Sequence, residues 1–204
     1  MVKKENSKEK STVREYVEAF IIALILALII RATIIQAYKI PSGSMKPTLL
    51  VGDHILVNKF IYGWNYPFTK NKIFNLKTPK REDIIVFSCP VDTKKDFIKR
   101  VIGLPKERIQ IKNKKIYINN KLFKDDHGYF RDSNTVKNRD NFGPIDIPED
   151  SYFVLGDNRD KSYDSRFWGF VNIGNIKGKA LIMYWSWDKE NFGVRWRRIG
   201  SLIH

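Results

Sequence analysis

The chain is 204 residues long, carries a formal net charge of +15 and has a single cysteine, Cys89. One cysteine excludes an intramolecular disulfide and a cysteine-based metal site. The basic excess calls for an anionic partner, either nucleic acid or an anionic membrane surface. Lysines and arginines are spread along the whole chain, and no helix-turn-helix, zinc-finger or RNA-binding signature accompanies them. That pattern favours a bilayer with anionic headgroups and argues against nucleic acid.

Residues 1–14 are polar and contain Lys3, Lys4, Lys8, Lys10 and Arg14, and an apolar run follows from Ala19 to Ile30. The run alone is shorter than the ~20 residues a bilayer span needs. Extended to residues 16–37 it makes a span with Glu18 and Arg31 toward its ends, where an arginine can snorkel to the headgroups. A cleavable secretory signal is the competing reading, but no small-x-small pair closes the apolar region before Ser42. The expectation is a cytoplasmic basic tail (1–15), a single-pass anchor in the cell membrane (16–37) and an extracytoplasmic domain (38–204). The basic residues before the span set that orientation.

Beyond Ile40 the pattern is strand-like, with short alternating or β-branched runs. Ile55–Val57, Ile84–Phe87, Phe97–Ile102, Ile109–Ile111, Ile116–Ile118, Tyr152–Leu155 and Ala180–Trp187 read as strands. Asn113-Lys114 and Asn119-Asn120 sit where hairpin turns belong. Asp125–Pro148, rich in Asp, Asn, Gly and Pro, reads as a long irregular excursion. The fold class is therefore mostly β: one mostly antiparallel domain behind an N-terminal transmembrane helix. Cys89, after Ile84–Phe87 and before Pro90, reads as a buried strand end rather than a catalytic thiol.

Three segments carry chemistry. In Ile40-Pro41-Ser42-Gly43-Ser44-Met45-Lys46-Pro47-Thr48-Leu49 the prolines and glycine hold Ser44 on non-helical backbone. In Asp96–Pro105 the lysine Lys99 is flanked by Phe97, Ile98, Val101 and Ile102 on a strand able to bury alternate side chains. Burial can make a lysine neutral and hence a base, whereas Lys46, on an exposed turn, would stay charged. His54, His127 and His204 are poorly placed as partners for Ser44, although a Ser/His/Asp triad stays open on sequence alone. The third segment, Gly156–Gly169, contains Asp157, Asp160 and Asp164, but counted from Asp157 a calcium loop needs oxygen ligands where Arg159 and Lys161 stand and a glycine where Ser162 stands. No metal and no cofactor is expected.

The three segments, in this order behind an apolar segment, resemble bacterial type I signal peptidase (leader peptidase) in its single-anchor form, in patches from the anchor to the terminal Arg198–His204. The resemblance implies coiled antiparallel β-sheets with a small inserted lobe around residues 107–148. It implies a serine endopeptidase that removes signal peptides from exported preproteins after small-x-small sites. Ser44 would be the nucleophile, Lys99 the general base, and Ser42 with Ser44 the oxyanion hole. Ser162 would orient Lys99, while Arg100 with Asp157 and Asp164 with Arg166 would brace the site. Ile40, Pro41, Met45, Leu49, Phe97 and Ile98 would surround the substrate pockets, although as apolar residues they also read as core, Leu49 above all; the resemblance also implies contact with the secretion machinery. The chain departs from the family pattern at Lys161, where many relatives carry Asn, and at Lys106-Glu107.

A substrate strand added to a sheet edge beside Ser44 would take its affinity from backbone hydrogen bonds. Two aromatic groups, Tyr62, Trp64, Tyr66 and Phe68, and Trp185, Trp187, Phe192 and Trp196, are core or a headgroup-level face. Two other functions stay in play: a self-cleaving serine/lysine repressor peptidase, and a non-catalytic β domain that binds anionic envelope polymer.

Overall fold

The computed structural model describes residues 12–62, 64–65, 72–73 and 77–204. Lys3, Lys4, Lys8 and Lys10 of the basic tail, and the aromatics Tyr66 and Phe68, lie outside the described residues. Helix α1 (Thr12–Thr33) is followed at once by strand β1 (Ile35–Lys39). The anchor expected through residue 37 thus runs into the domain. The β-branched pair Ile34-Ile35 and the alternation that follows suit a strand, and β1 pairs antiparallel with β2 (Asp53–Asn58). Among the described residues, no helix is long and apolar enough to cross a membrane.

After a short ribbon, β3 (Trp64–Asn65) with β4 (Lys72–Ile73), come β5 (Ile84–Cys89) and β6 (Asp92–Gly103). The next strands are β7 (Arg108–Lys112), β8 (Lys115–Ile118), β9 (Lys121–Leu122) and β10 (Phe142–Asp146). The chain closes with β11 (Ser151–Leu155), α2 (Ser165–Trp168), β12 (Val171–Asn172), β13 (Ile176–Asp188) and β14 (Gly193–Val194). The main sheet runs β1-β2-β13-β5-β6-β11-β12, with β14 on β13, and the second sheet runs β10-β7-β8-β9. Every pairing within the two sheets is antiparallel.

The second sheet occupies the stretch in which an inserted lobe is expected. Its hairpins turn on Asn113-Lys114 (φ 50° and 67°) and Asn119-Asn120 (φ 50° and 65°), the left-handed pairs that a two-residue turn requires. The excursion Asp125–Pro148 is less irregular than its composition suggests. It contains β10, whose register on β7 slips between Phe142 and Ile145, at Gly143-Pro144. That interruption breaks the alternation a strand would display.

The core lies in three groups. Ile40, Met45, Leu49, Ile55, Val57, Ile84, Val86, Ala180, Met183 and Ile203 pack together on one side of the main sheet. Tyr62, Ile85, Phe87, Val101, Tyr152, Val154, Val171 and Ile176 form the second. Ile102, Phe153 and Leu155 join Ile109, Ile111, Ile116, Ile118 and Ile147 in the third, which cements the inserted sheet to the main one. Cys89 is buried at the end of β5. Of the two aromatic groups, Tyr62 is core, whereas Trp185, Trp187, Phe192 and Trp196 are exposed, with the rings of Trp185 and Trp196 edge to face at 6.3 Å.

Candidate active site

The loop between β1 and β2 carries Ser44, and its shape follows from what it buries. Met45 and Leu49 are fully buried in the core, and Leu49 N–H donates to Met45 O at 2.8 Å, which closes a single turn. Those two anchors leave Ser42 and Ser44 on the outer side. Ser44 Oγ stands 3.5 Å from Ser42 Oγ and 2.8 Å from Lys99 Nζ, which donates to it.

Lys99 comes from β6, beside β5, and is 4% exposed. Its Nζ makes a second hydrogen bond to Ile98 O at 3.0 Å and lies 5.4 Å from the centre of the Phe97 ring. Burial pulls its pKa down from the usual 10.5 to about 8, against the opposing pull of Asp164 and Asp157. Desolvation penalises the ammonium and not the amine, so a large fraction is neutral on the alkaline side of neutrality.

The third segment wraps behind this pair. Arg100 is completely buried and its guanidinium forks onto Asp157, with both contacts at 2.8 Å; a further donor reaches Glu82 O at 2.8 Å. Asp157 also accepts from Thr48 Oγ1 at 2.6 Å, which ties the support to the serine loop. Arg166 forks onto Asp164 at 2.8 and 2.9 Å and donates to Arg159 O at 2.7 Å. Asp164 caps α2 and accepts Gly156 N–H at 3.1 Å. Gly156 has a steric reason to be glycine: a Cβ there would meet Ser162 Oγ at 2.2 Å and Ser44 O at 2.4 Å.

The expected pairs Arg100–Asp157 and Asp164–Arg166 are therefore in contact, and Lys99 meets Ser44. Ser162 differs. Lys99 Nζ directs its hydrogen bonds to Ser44 and to its own strand, and Ser162 Oγ, though buried, has no hydrogen-bond partner among the described residues. The pocket residues divide. Pro41, Phe97 and Ile98 line an open cleft of about 920 Å³ together with Ser42, Ser44 and Lys99. Ile40, Met45 and Leu49 are core residues, because the turn that exposes Ser44 rotates them inward, and none of them lines the cleft. None of the histidines lines it either; His54 lies near Tyr184, 3.4 Å from its hydroxyl, and His127 faces Glu82 at 3.9 Å.

Residues that the sequence did not single out also hold the loop. Asn158, 7% exposed, brackets the serine: its N–H donates to Ser44 O and its Nδ2 to Gly43 O, both at 3.1 Å. Asp53, fully buried, accepts Leu50 N–H at 2.7 Å, Ser186 Oγ at 2.6 Å and Arg198 at 2.7 Å, while Arg198 also donates to Thr48 O at 2.8 Å. The only local hint was an aspartate at the start of a strand after Gly52; Arg198 is 145 residues away.

A serine hydroxyl in contact with a buried amine, at the mouth of a cleft on an antiparallel β scaffold, has the groups that peptide hydrolysis requires. The family model for signal peptidase, peptidase S26, matches residues 13–185, so the chain belongs to that family and is a serine peptidase. It is 35% identical to signal peptidase I of Buchnera aphidicola (subsp. Acyrthosiphon pisum), over 85% of this chain and 76% of that one. Against signal peptidase I of Pseudomonas aeruginosa the identity is also 35%, over 78% and 67%. A solved signal peptidase I from Enterococcus faecalis superposes on 50% of this chain and 97% of its own at 35% identity, with a TM-score of 0.43.

Proposed function

We propose that the chain is a membrane-anchored signal peptidase in which Ser44 and Lys99 form a catalytic dyad. The observation that carries this reading is the 2.8 Å contact between Ser44 Oγ and Lys99 Nζ, at a lysine whose burial brings its pKa to about 8. In the neutral state Lys99 accepts the Ser44 proton while Oγ attacks the scissile carbonyl. The Ser44 N–H and Ser42 hydroxyl stabilise the tetrahedral oxyanion, where one donor is typically worth about 10²–10³ in rate. The Lys99 ammonium then returns the proton to the leaving amine, and a water repeats the cycle on the acyl-enzyme. Arg100–Asp157 and Asp164–Arg166 hold the wall rigid without joining the chemistry, as charge-assisted forks do.

The substrate is the signal-peptide region of an exported preprotein, laid beside Ser44 as an added strand. Pro41, Phe97 and Ile98 on the cleft wall limit the residue at the cleavage position to a small one. The apolar side chains of α1, among them Phe20, Ile22 and Leu26, are exposed and touch no core, which supports burial in a bilayer. The basic residues that precede the apolar run, Arg14 among them, favour a cytoplasmic N-terminus and so a domain on the extracytoplasmic side.

Cleavage of a radiolabelled preprotein in detergent by the native chain, Ser44→Ala and Lys99→Ala tests the dyad. Product is expected with the native chain alone, and equal activity in all three would end the proposal. Protease added to intact spheroplasts should digest the domain; full protection would invert the topology.

A further inference from the structure

The cleft carries more positive charge than hydrolysis uses. Lys46, Lys95, Arg131 and Lys161 line it together with Lys99, against one carboxylate, Asp96. Asp96 is already engaged, by Lys177 at 2.6 Å and by the Tyr38 hydroxyl at 3.2 Å. Lys95 is likewise matched, 2.8 Å from Asp92. Lys46, Arg131 and Lys161 are exposed, and none of the three forms an ion pair among the described residues.

Their backbones are fixed although their charges are unpaired. The Lys46 stem lies over Gly43, next to Ser44, so that a Cβ on Gly43 would be 3.3 Å from Lys46 Cε. Arg131 and Asp132 both give their N–H groups to Asp160 Oδ2, at 2.5 and 2.7 Å. Lys161 N–H donates to Asn158 O at 3.1 Å, in the turn that brackets Ser44. Three cations thus converge on one cleft from three segments with no counter-charge of their own.

We propose that Lys46, Arg131 and Lys161 make the cleft select substrates that carry an acidic side chain beside the scissile bond. The inference rests on the signal-peptidase reading above and names a substrate class for that same cleft. A bound carboxylate supplies the missing counter-charge, whereas a lysine in the same place adds a fourth cation. Charges on the rim of a binding site act mainly through encounter and partner discrimination, and they fade with salt over a Debye length of about 8 Å at 0.15 M.

The test uses the full chain in zwitterionic detergent and preprotein-derived peptides that differ only in Asp, Asn or Lys at one position, scanned across the cleavage site. At the responsive position kcat/KM for Asp should exceed that for Lys by about tenfold near 20 mM salt, falling to about twofold near 500 mM. The charge-reversed variant Lys161→Glu/Arg131→Glu should invert the order, with the Asn peptide as internal reference. Values within twofold for Asp, Asn and Lys at every position would overturn the inference while leaving the peptidase reading intact. Failure of the native chain to cleave any peptide would remove both. If the variant instead loses activity only when anionic lipid is added, the cations serve the headgroups and substrate selection is refuted.

Discussion

Replacing Lys99 with methionine should inactivate the enzyme and stabilise the fold at the same time. Lys99 is 4% exposed, and burial lowers its pKa from 10.5 to about 8. Below about pH 8 the amine is protonated in both the folded and unfolded chain, so the folded state bears the whole penalty of a buried ammonium. The gap between 10.5 and about 8 makes that penalty about 3 kcal/mol at 1.36 kcal/mol per pH unit. Between those two values the unfolded chain binds more protons than the folded one, so stability rises with pH; above 10.5 the penalty is gone.

Methionine keeps an unbranched chain and removes the charge, but it leaves Ser44 Oγ and Ile98 O without their donor, which takes back about 1 kcal/mol. Lys99→Met should therefore be about 1–3 kcal/mol more stable than the native chain at pH 7. The difference should shrink to nothing or change sign by about pH 10. kcat should fall on the order of 10⁴. Urea unfolding of both proteins in the same micelles from pH 6 to 10 reads the difference directly, and titrations common to the two cancel. A variant less stable at pH 7, or a difference that does not change with pH, would show that Lys99 carries no burial penalty and would remove the reason for its being neutral.

Three other substitutions separate support, positioning and selectivity. Asp157→Ala strands the completely buried Arg100 charge and should cost about 3–5 kcal/mol in denaturant unfolding; a loss below about 1 kcal/mol would mean that the site wall is braced elsewhere. Asn158→Ala removes the Nδ2 donor to Gly43 O and should lower kcat about tenfold with KM nearly unchanged; an unchanged kcat would show that the serine loop holds its shape without that bond. Ile98→Ala opens the cleft wall and should admit larger residues at the cleavage position, with a change in discrimination of about 1–3 kcal/mol across a substrate panel. Unaltered site choice would take Ile98 out of the pocket.

The parts of this site that were legible in the sequence are those set by neighbours in the chain. The burial of Lys99 follows from the apolar residues on either side of it on one strand, and both asparagine-bearing hairpin turns follow from pairs that tolerate left-handed backbone. What escaped is set by partners far away. Asn158 reaches Gly43 across 115 residues and Arg198 reaches Asp53 across 145. Ile40, Met45 and Leu49 look like pocket residues beside Ser44, yet the direction of each depends on how the loop turns over the core. β10 was hidden because Gly143-Pro144 interrupts the alternation of a strand that bulges to accommodate it. Ser162 shows the limit of carrying a role over by position: it lies behind the serine loop, against Gly156, without reaching the lysine by a hydrogen bond.

The dependence of kcat/KM on pH, for the native chain and for a variant with His54, His127 and His204 all replaced, tests the dyad most directly. A neutral-lysine mechanism predicts a rate that rises with pH and reaches half its plateau at about 8, where burial brings Lys99, with the same profile in the histidine-free protein. A rise centred near 6.5 that disappears with the histidines would instead identify a histidine base and contradict the Ser44–Lys99 account.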